Sequence, residues 1–291
     1  MTDLKPENLL VSNYPGDNEW ETTCNCCGVP VSKIKQDDRY FCKYWEVSPG
    51  MPVFVVLLII MSVTSYVFVL FPQLGTWQRI VFSCIVCLFL VLFLLSYFLT
   101  MCVDPGYLPI NWILSQRTKY SWEELQSGRA ITPEQREFAQ NHRPRFASFS
   151  KSSGLFVIRA DHICGWVATW VAKRNHKLFL LFMLYGGLYT STLLLIRYMF
   201  IKSIPKNGFF NAISQFSMFF EVIFTFILLM SFMSHMFMVA ENQTQIGVYN
   251  NREVNQMSCS ESMKEVCGEG SVFSWLVPTL PFDENLVNLE G

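Results

Sequence analysis

The chain has 291 residues, of which 51% are hydrophobic and only 15% are charged, against roughly 25% charged residues in an average soluble domain. Its formal net charge of −1 argues against binding to nucleic acid. This composition excludes an ordinary soluble domain and indicates a membrane protein.

Four apolar stretches are long enough to cross a bilayer, which takes about 20 residues of helix. In chain order they cover about residues 51–71, 80–101, 178–196 and 216–240. Each should be helical, because a chain in lipid must satisfy its own backbone hydrogen bonds. The predicted fold class is therefore an all-α polytopic membrane protein with four transmembrane helices. The fourth stretch carries two ionisable residues, Glu221 and His235, which serve either function or packing against a neighbouring helix.

The basic residues predict how the helices are oriented. The connection 102–177 carries eleven Lys and Arg residues, whereas the other two connections are short. Because loops rich in Lys and Arg stay in the cytosol, this long loop and both termini are expected there. The predicted organisation is a cytosolic segment 1–50 without a signal peptide, a membrane domain 51–240 that includes the loop, and a cytosolic tail 241–291.

The long loop ends in Asp161-His162-Ile163-Cys164, just before the third apolar stretch. A cysteine thiol has a pKa of about 8.5, so as a nucleophile at neutral pH it needs a base such as His162. A carboxylate such as Asp161 can orient that histidine and stabilise its cation. In an extended segment His162 and Cys164 would point to the same side, while Asp161 would need a turn to reach His162. A run of this kind also arises by chance.

Other short motifs follow in a fixed order. Asp-Pro-Gly at 104–106 follows the second span, and Asn175 follows the Asp-His-Ile-Cys run. After the fourth span, Thr244 begins a partial Thr-Thr-x-Glu motif, and an aromatic segment occupies 273–278. With these motifs on four spans, the sequence resembles the DHHC protein S-acyltransferases, or palmitoyltransferases, over roughly residues 40–282.

The resemblance implies an enzyme that moves a fatty acyl group, palmitoyl, from acyl-CoA to cysteines of membrane-associated proteins. It implies Cys164 as the acylated nucleophile, His162 as the base and Asp161 as the residue that orients the histidine. Acyl-CoA would be a co-substrate, and no prosthetic group is expected. The expected setting is a multi-pass protein of the endomembrane system (ER or Golgi) or the plasma membrane. Its site would face the cytosol and substrate proteins with juxtamembrane cysteines.

The family's loop binds two zinc ions, and the resemblance places eight ligand positions in this chain. Those positions hold Glu137, Gln140, Phe149, Ser150, Ser153, Phe156, Ile163 and Trp170. None is Cys or His, so zinc is not expected there. An earlier pair, Cys24 and Cys27, has zinc-type spacing but lacks a partner pair at a usual interval, and S-acylated or free thiols are the alternatives.

Four of the eight positions are apolar, which suggests what replaces the metal. We hypothesise that they form a small core, together with Leu155 and Trp166, because burying each such side chain contributes about 1.5–3 kcal/mol. The four are Phe149, Phe156, Ile163 and Trp170. The alternative is drift in a loop that is no longer used.

Basic residues flank the Asp-His-Ile-Cys run, namely Arg159, Lys173, Arg174 and Lys177. They would either pair with the phosphates of acyl-CoA or meet anionic lipid head groups.

The resemblance also implies two residues, a Glu and an Asn, that hold the tail and the catalytic loop against the membrane domain. In this chain Gly247 stands in place of that Glu and Ser262 in place of that Asn. Two functions therefore remain: an active, zinc-free S-acyltransferase, favoured because the three reacting residues are kept, or a catalytically silent relative that binds membrane lipids or proteins.

Overall fold

The computed structural model describes residues 20–26, 29–34, 40–42, 47–108, 137–138, 141, 147–150, 156–204, 208–251 and 257–281. Four long helices dominate it: α1 (Gly50–Ser65), α2 (Thr76–Cys102), α3 (His176–Met199) and α4 (Phe209–Ala240). A π-helical turn and a 3₁₀ turn continue α1, so the first span covers Gly50–Gln73. All four are long and apolar enough to cross a membrane, which confirms the four-span prediction.

The fourth helix begins at Phe209, well before the predicted start at residue 216. The polar residue Ser214 lies inside it and accepts a hydrogen bond from Nη1 of Arg197 at 2.5 Å. Arg197 also donates to the hydroxyl of Ser65 at 3.0 Å, and its Nη2 lies 3.2 Å from Oε2 of Glu221. The helix tolerates polar residues here because partners on α1 and α3 satisfy them.

Helix α3 is the central element of the bundle, packing against both α2 and α4. In the most apolar stretch of α3, 61% of the residues are buried inside the protein, against 33% or less in the other three spans. A Cβ at Gly187 would lie 2.5 Å from Cδ2 of Leu229, and one at Gly186 would lie 3.0 Å from Cδ1 of Leu228. The two glycines therefore allow α3 and α4 to approach closely, as small residues do between membrane helices.

Short antiparallel strands accompany the helices, which the all-α prediction did not include. An N-terminal meander comprises β1 (Trp20–Cys26), β2 (Val29–Ile34) and β3 (Tyr40–Cys42). The loop before α3 contains a sheet of order β4-β6-β5 and a hairpin β7-β8. Their bounds are β4 (Tyr107–Leu108), β5 (Ser148–Phe149), β6 (Phe156–Val157), β7 (His162–Cys164) and β8 (Thr169–Val171). Strands this short give too little periodicity to predict.

Two motif residues fix this loop to the membrane helices. Oδ1 of Asp104 accepts a hydrogen bond from the backbone N–H of Gly106 at 2.8 Å, which closes a side-chain turn directly after α2. Asn175, at the start of α3, donates to the backbone carbonyls of Thr100 and Trp170 at 3.1 and 2.7 Å. The end of α2, the hairpin and the start of α3 are therefore held together.

The chain after α4 folds back onto the loop. Its described residues form three short helices, α5 (Gln245–Tyr249), α6 (Cys259–Cys267) and α7 (Val272–Trp275). Lys173 forms an ion pair with Glu265 of α6, and Lys177 donates to the backbone carbonyl of Ser274 at 3.0 Å. The loop and the tail therefore lie at the same end of the helix bundle.

Candidate active site

The Asp-His-Ile-Cys run forms the first strand of the β7-β8 hairpin, in which His162 pairs with Val171. Residues 165–168 form the turn, with Ala168 at a positive φ of 57°. Because side chains alternate along a strand, His162 and Cys164 share one side, and both line the same cavity. The two side chains are close enough for Cys164 to raise the pKa of His162. The prediction that the two residues point the same way is confirmed.

The carboxylate of Asp161 is fully buried and held from several directions. Its Oδ2 lies 2.8 Å from Nδ1 of His162, and its Oδ1 accepts the backbone N–H of Gln245 at 2.9 Å. Its backbone N–H donates to the carbonyl of Val171 at 2.8 Å, and its own carbonyl accepts from Ile246 at 3.1 Å. Hairpin and α5 therefore both position Asp161, and all three predicted catalytic residues are in contact.

The negative charge of Asp161 and the positive charge of His162 stabilise each other. Burial alone would raise the pKa of Asp161, but hydrogen bonds from His162 and Gln245 and nearby positive charge outweigh it and hold that pKa below its usual range. Burial alone would lower the pKa of His162, yet its hydrogen bonds to Asp161 and Cys164 raise it to about 9. The site therefore favours the imidazolium form of His162, which is the form that results when His162 takes a proton from Cys164.

His235, on α4, is a part of the site that its place in an apolar span did not reveal. Its Nε2 lies 3.6 Å from Oδ2 of Asp161 and 3.0 Å from Nε2 of Gln245. Its Nδ1 lies 2.8 Å from the carbonyl oxygen of Ser231. A carbonyl oxygen can only accept, so Nδ1 carries a proton. His235 therefore places a ring nitrogen of α4 beside the buried carboxylate, with Gln245 as its hydrogen-bond partner.

Three of the chain's four histidines meet at this site. The ring centroids of His162 and His235 are 5.6 Å apart, and those of His176 and His235 are 6.4 Å apart. Both ring nitrogens of His176 are buried and have no hydrogen-bond partner among the described residues. Sequence reasoning missed His176 and Gln245. The available signal was the position of His176 and His235 at the ends of apolar spans that flank the loop.

A cavity of about 400 Å³ extends from the hairpin into the membrane domain. His162, Cys164 and His235 line one part of it, and Ser217 and Glu221 line another. His235 and Glu221 are fourteen residues apart on α4, which corresponds to about 21 Å along the helix axis. Apolar side chains from α1, α3 and α4 line the wall between them: Val55, Leu58, Ile59, Phe182, Phe224 and Leu228. The cavity therefore presents mostly apolar side chains, with Cys164 among the residues that line it.

The basic residues predicted to bind acyl-CoA are all buried, at 3–8% exposure. Each has a partner within the protein. The partners are Asn242 for Arg159, Glu265 for Lys173, Asp104 for Arg174 and Ser274 for Lys177. These contacts hold the loop against α2 and the tail, and binding of acyl-CoA by these residues stays a prediction.

The described residues at the family's zinc positions do not fit a metal ion. Phe149 and Phe156 lie opposite each other in β5 and β6, with ring centroids 5.3 Å apart. Trp170 is buried in a cluster with Tyr107 and Val157. The hypothesis of one shared core is wrong for Ile163, which is 44% exposed because its strand turns it away from that cluster.

Trp166 does not join the loop core either. Its ring packs edge-on against Phe224 of α4, with centroids 5.6 Å apart, and its carbonyl accepts a hydrogen bond from Tyr97 at 2.8 Å. The turn of the hairpin therefore packs against α2 and α4. Leu155, Gln140 and Ser153, which the sequence also places in this region, lie outside the described residues.

Comparison with known proteins points to the same family as the motifs of the sequence. A family model described as DHHC palmitoyltransferase matches residues 131–252, which include the hairpin and α5. The chain is 26% identical over 223 residues to "Probable protein S-acyltransferase 12" of Arabidopsis thaliana, covering 69% of this chain and 75% of that protein. It is 25% identical to "Probable protein S-acyltransferase 13" of the same plant, covering 67% and 70%. It is also 27% identical over 124 residues to "Palmitoyltransferase AKR1" of Debaryomyces hansenii, covering 42% of this chain and 15% of that protein.

Proposed function

We propose that this chain, which belongs to the DHHC palmitoyltransferase family, is an active protein S-acyltransferase whose loop is held without zinc, by apolar packing together with hydrogen bonds and ion pairs to α2 and the tail. It transfers a fatty acyl group, palmitoyl, from acyl-CoA to cysteines of membrane-associated proteins. One observation carries the proposal. The side chains of Asp161, His162 and Cys164 are in contact at an apolar cavity within a four-helix membrane domain.

In the first half-reaction, Cys164 becomes acylated. His162 takes the thiol proton, and the sulfur of Cys164 attacks the carbonyl carbon of the acyl-CoA thioester. The bond from that carbon to the CoA sulfur breaks, and the leaving thiolate takes the proton back from His162. Asp161 stabilises the imidazolium between these two transfers.

In the second half-reaction, the acyl group moves to the substrate protein. The incoming cysteine thiol gives its proton to His162, and its sulfur attacks the thioester carbonyl on Cys164. The bond to the sulfur of Cys164 breaks, and that sulfur regains a proton from His162. One base therefore serves both directions of proton transfer.

The cavity explains why the enzyme would use a long acyl chain. Each CH₂ group removed from water contributes about 0.8 kcal/mol, so a lipid chain partitions strongly into an apolar space. Cys164 lines the cavity along with residues of α1, α3 and α4. A chain bound there presents its thioester end to the catalytic residues.

The basic loop argues for a cytosolic site. Positively charged loops remain on the cytosolic side, which is where acyl-CoA and the juxtamembrane cysteines of substrate proteins meet. In this arrangement the chain is a multi-pass protein of the endomembrane system or plasma membrane, with both termini in the cytosol. To bind the phosphates of acyl-CoA, the buried Lys and Arg residues around the hairpin would have to exchange the partners they have within the protein.

Labelling with palmitoyl-CoA tests the proposal. The full chain, purified in detergent, is incubated with labelled palmitoyl-CoA beside Cys164→Ser and His162→Ala. We expect hydroxylamine-sensitive label on the wild type, none on Cys164→Ser, and at least about a hundredfold slower labelling of His162→Ala. Equal label on wild type and Cys164→Ser would exclude Cys164 as the nucleophile. A folded wild type without label would favour the silent, lipid- or protein-binding relative.

A further inference from the structure

Three side chains of the site converge as metal ligands do. Ligand atoms of Asp161, His162 and His235 all lie within 4.8 Å of one another. Oδ2 of Asp161 is 2.8 Å from Nδ1 of His162 and 3.6 Å from Nε2 of His235. Neighbouring ligands of a tetrahedral Zn²⁺, with bonds of about 2.0–2.1 Å, lie about 3.3 Å apart. The two separations from Asp161 fall on either side of that value, and the third, between the two imidazoles, is no more than 4.8 Å, so the two rings must shift to complete the geometry.

Each of the three ligands is also oriented by a second contact. Nδ1 of His235 donates to the carbonyl of Ser231 at 2.8 Å, so Nε2 carries the lone pair that faces the cluster, where a metal would replace the hydrogen bond from Gln245. Oδ1 of Asp161 accepts the backbone N–H of Gln245 at 2.9 Å, which leaves Oδ2 facing the histidines. The ring of His162 packs edge-on against Phe179, with centroids 5.2 Å apart. Such outer contacts are what fix the ring and carboxylate orientations in metal sites.

The cluster is reachable and has room for a further ligand. His162 and His235 both line the cavity, and their side chains are 20% and 8% exposed. Three protein ligands with one open position are typical of zinc sites that exchange their fourth ligand. Two imidazoles with one carboxylate suit Zn²⁺, whereas Ca²⁺ and Mg²⁺ prefer oxygen ligands.

We propose that Asp161, His162 and His235 form a Zn²⁺-binding site, and that Zn²⁺ bound there blocks acyl transfer. The site is distinct from the family's zinc positions, which in this chain carry no Cys or His. A metal on Nδ1 of His162 takes the place of the hydrogen bond to Asp161, so His162 can no longer exchange protons with Cys164. Metal binding does not depend on acyl transfer, so its test stands apart from that of the proposed function.

Titration calorimetry with Zn²⁺ on the full, chelator-treated chain tests the site. We expect one Zn²⁺ per chain, with affinity reduced at least about tenfold in His235→Gln. Cys164→Ser should bind as the wild type does, because the thiol is not one of the three ligands. An exposed thiol elsewhere, removed in Cys259→Ser, serves as the control for adventitious binding and should leave the affinity unchanged.

A ligand exchange keeps the test decisive if His235→Gln folds poorly. In the double variant Cys164→Ser with His235→Cys, Co²⁺ should show a thiolate charge-transfer band, since the new sulfur replaces the imidazole as a ligand. In acylation assays, added Zn²⁺ should stop labelling of the wild type, while the residual labelling of His235→Gln should withstand at least tenfold more Zn²⁺. Unchanged Zn²⁺ affinity in folded His235→Gln, loss of binding in Cys164→Ser, or no cobalt–thiolate band would each overturn the proposal.

Discussion

The carboxylate of Asp161 is buried and fixed before any substrate arrives. It faces the His162 ring on one oxygen and a backbone N–H of α5 on the other. An ion held in this way needs no reorganisation when the imidazolium forms, which is the advantage of a preorganised site. The role of Asp161 in stabilising the His162 cation therefore depends on the contact between the hairpin and the start of α5.

Replacing this carboxylate should slow the reaction without removing the nucleophile. In Asp161→Asn the amide cannot balance the His162 cation, so we expect formation of the acyl-enzyme to slow by about 10²-fold or more. Single-turnover labelling with palmitoyl-CoA measures this rate. Glu269→Gln is the matched control, because that carboxylate is 82% exposed and forms its ion pair with Lys264 at the surface. An Asp161→Asn rate equal to that of Glu269→Gln would contradict the assignment.

The pH dependence of stability tests the charge state of His162. Its pKa is raised to about 9 in the folded protein, against about 6.5 in an unfolded chain. Its stabilising contribution is therefore complete below about pH 6.5 and is lost as the pH rises through about 9. We expect the difference in Tm between wild type and His162→Gln to shrink over this interval. A difference that stays constant or grows would show that the histidine is not held as a cation.

At the scale of the helices, close approach of α3 and α4 forms one wall of the cavity. Gly187 lies where any side chain would collide with Leu229. Gly187→Leu should therefore destabilise the protein by about 1–3 kcal/mol. Gly165→Ala is the control for thermal unfolding, because a Cβ there meets nothing within 4 Å among the described atoms. Equal Tm values for the two variants would show that the helices do not pack in this way.

A buried ion pair between Arg197 and Glu221 joins the same two helices at the far part of the cavity. Removing one partner leaves the other charged and buried, so Glu221→Ala should cost about 3–5 kcal/mol. The double variant Arg197→Met with Glu221→Leu should recover most of that loss, since no unpaired charge remains. Unfolding in detergent, followed by circular dichroism, measures both. Comparable losses in the single and double variants would mean that the pair does not couple α3 to α4.

At the scale of the whole molecule, sequence patterns predict what is local and miss what the tertiary fold brings together. Length and hydropathy were enough for the four spans, because lipid imposes both. The early start of α4 at Phe209 depends on partners of Ser214 from other helices. His235 is 73 residues from His162 in the sequence, and nothing in their spacing predicts that they meet. The exposure of Ile163 likewise depends on the β7-β8 hairpin, in which strand alternation turns this side chain away from His162 and Cys164.

The central claim is that Cys164 passes an acyl group from a lipid donor to another thiol. A pulse–chase measurement tests it most directly: full-length chain is labelled with palmitoyl-CoA, freed of excess donor, and mixed with a cysteine-containing membrane-anchored peptide. We predict that label leaves the Cys164 peptide at the rate at which it arrives on the acceptor, and that a serine version of the acceptor receives none. Label that never forms on Cys164, or that is released only to water with the acceptor present, would contradict the account.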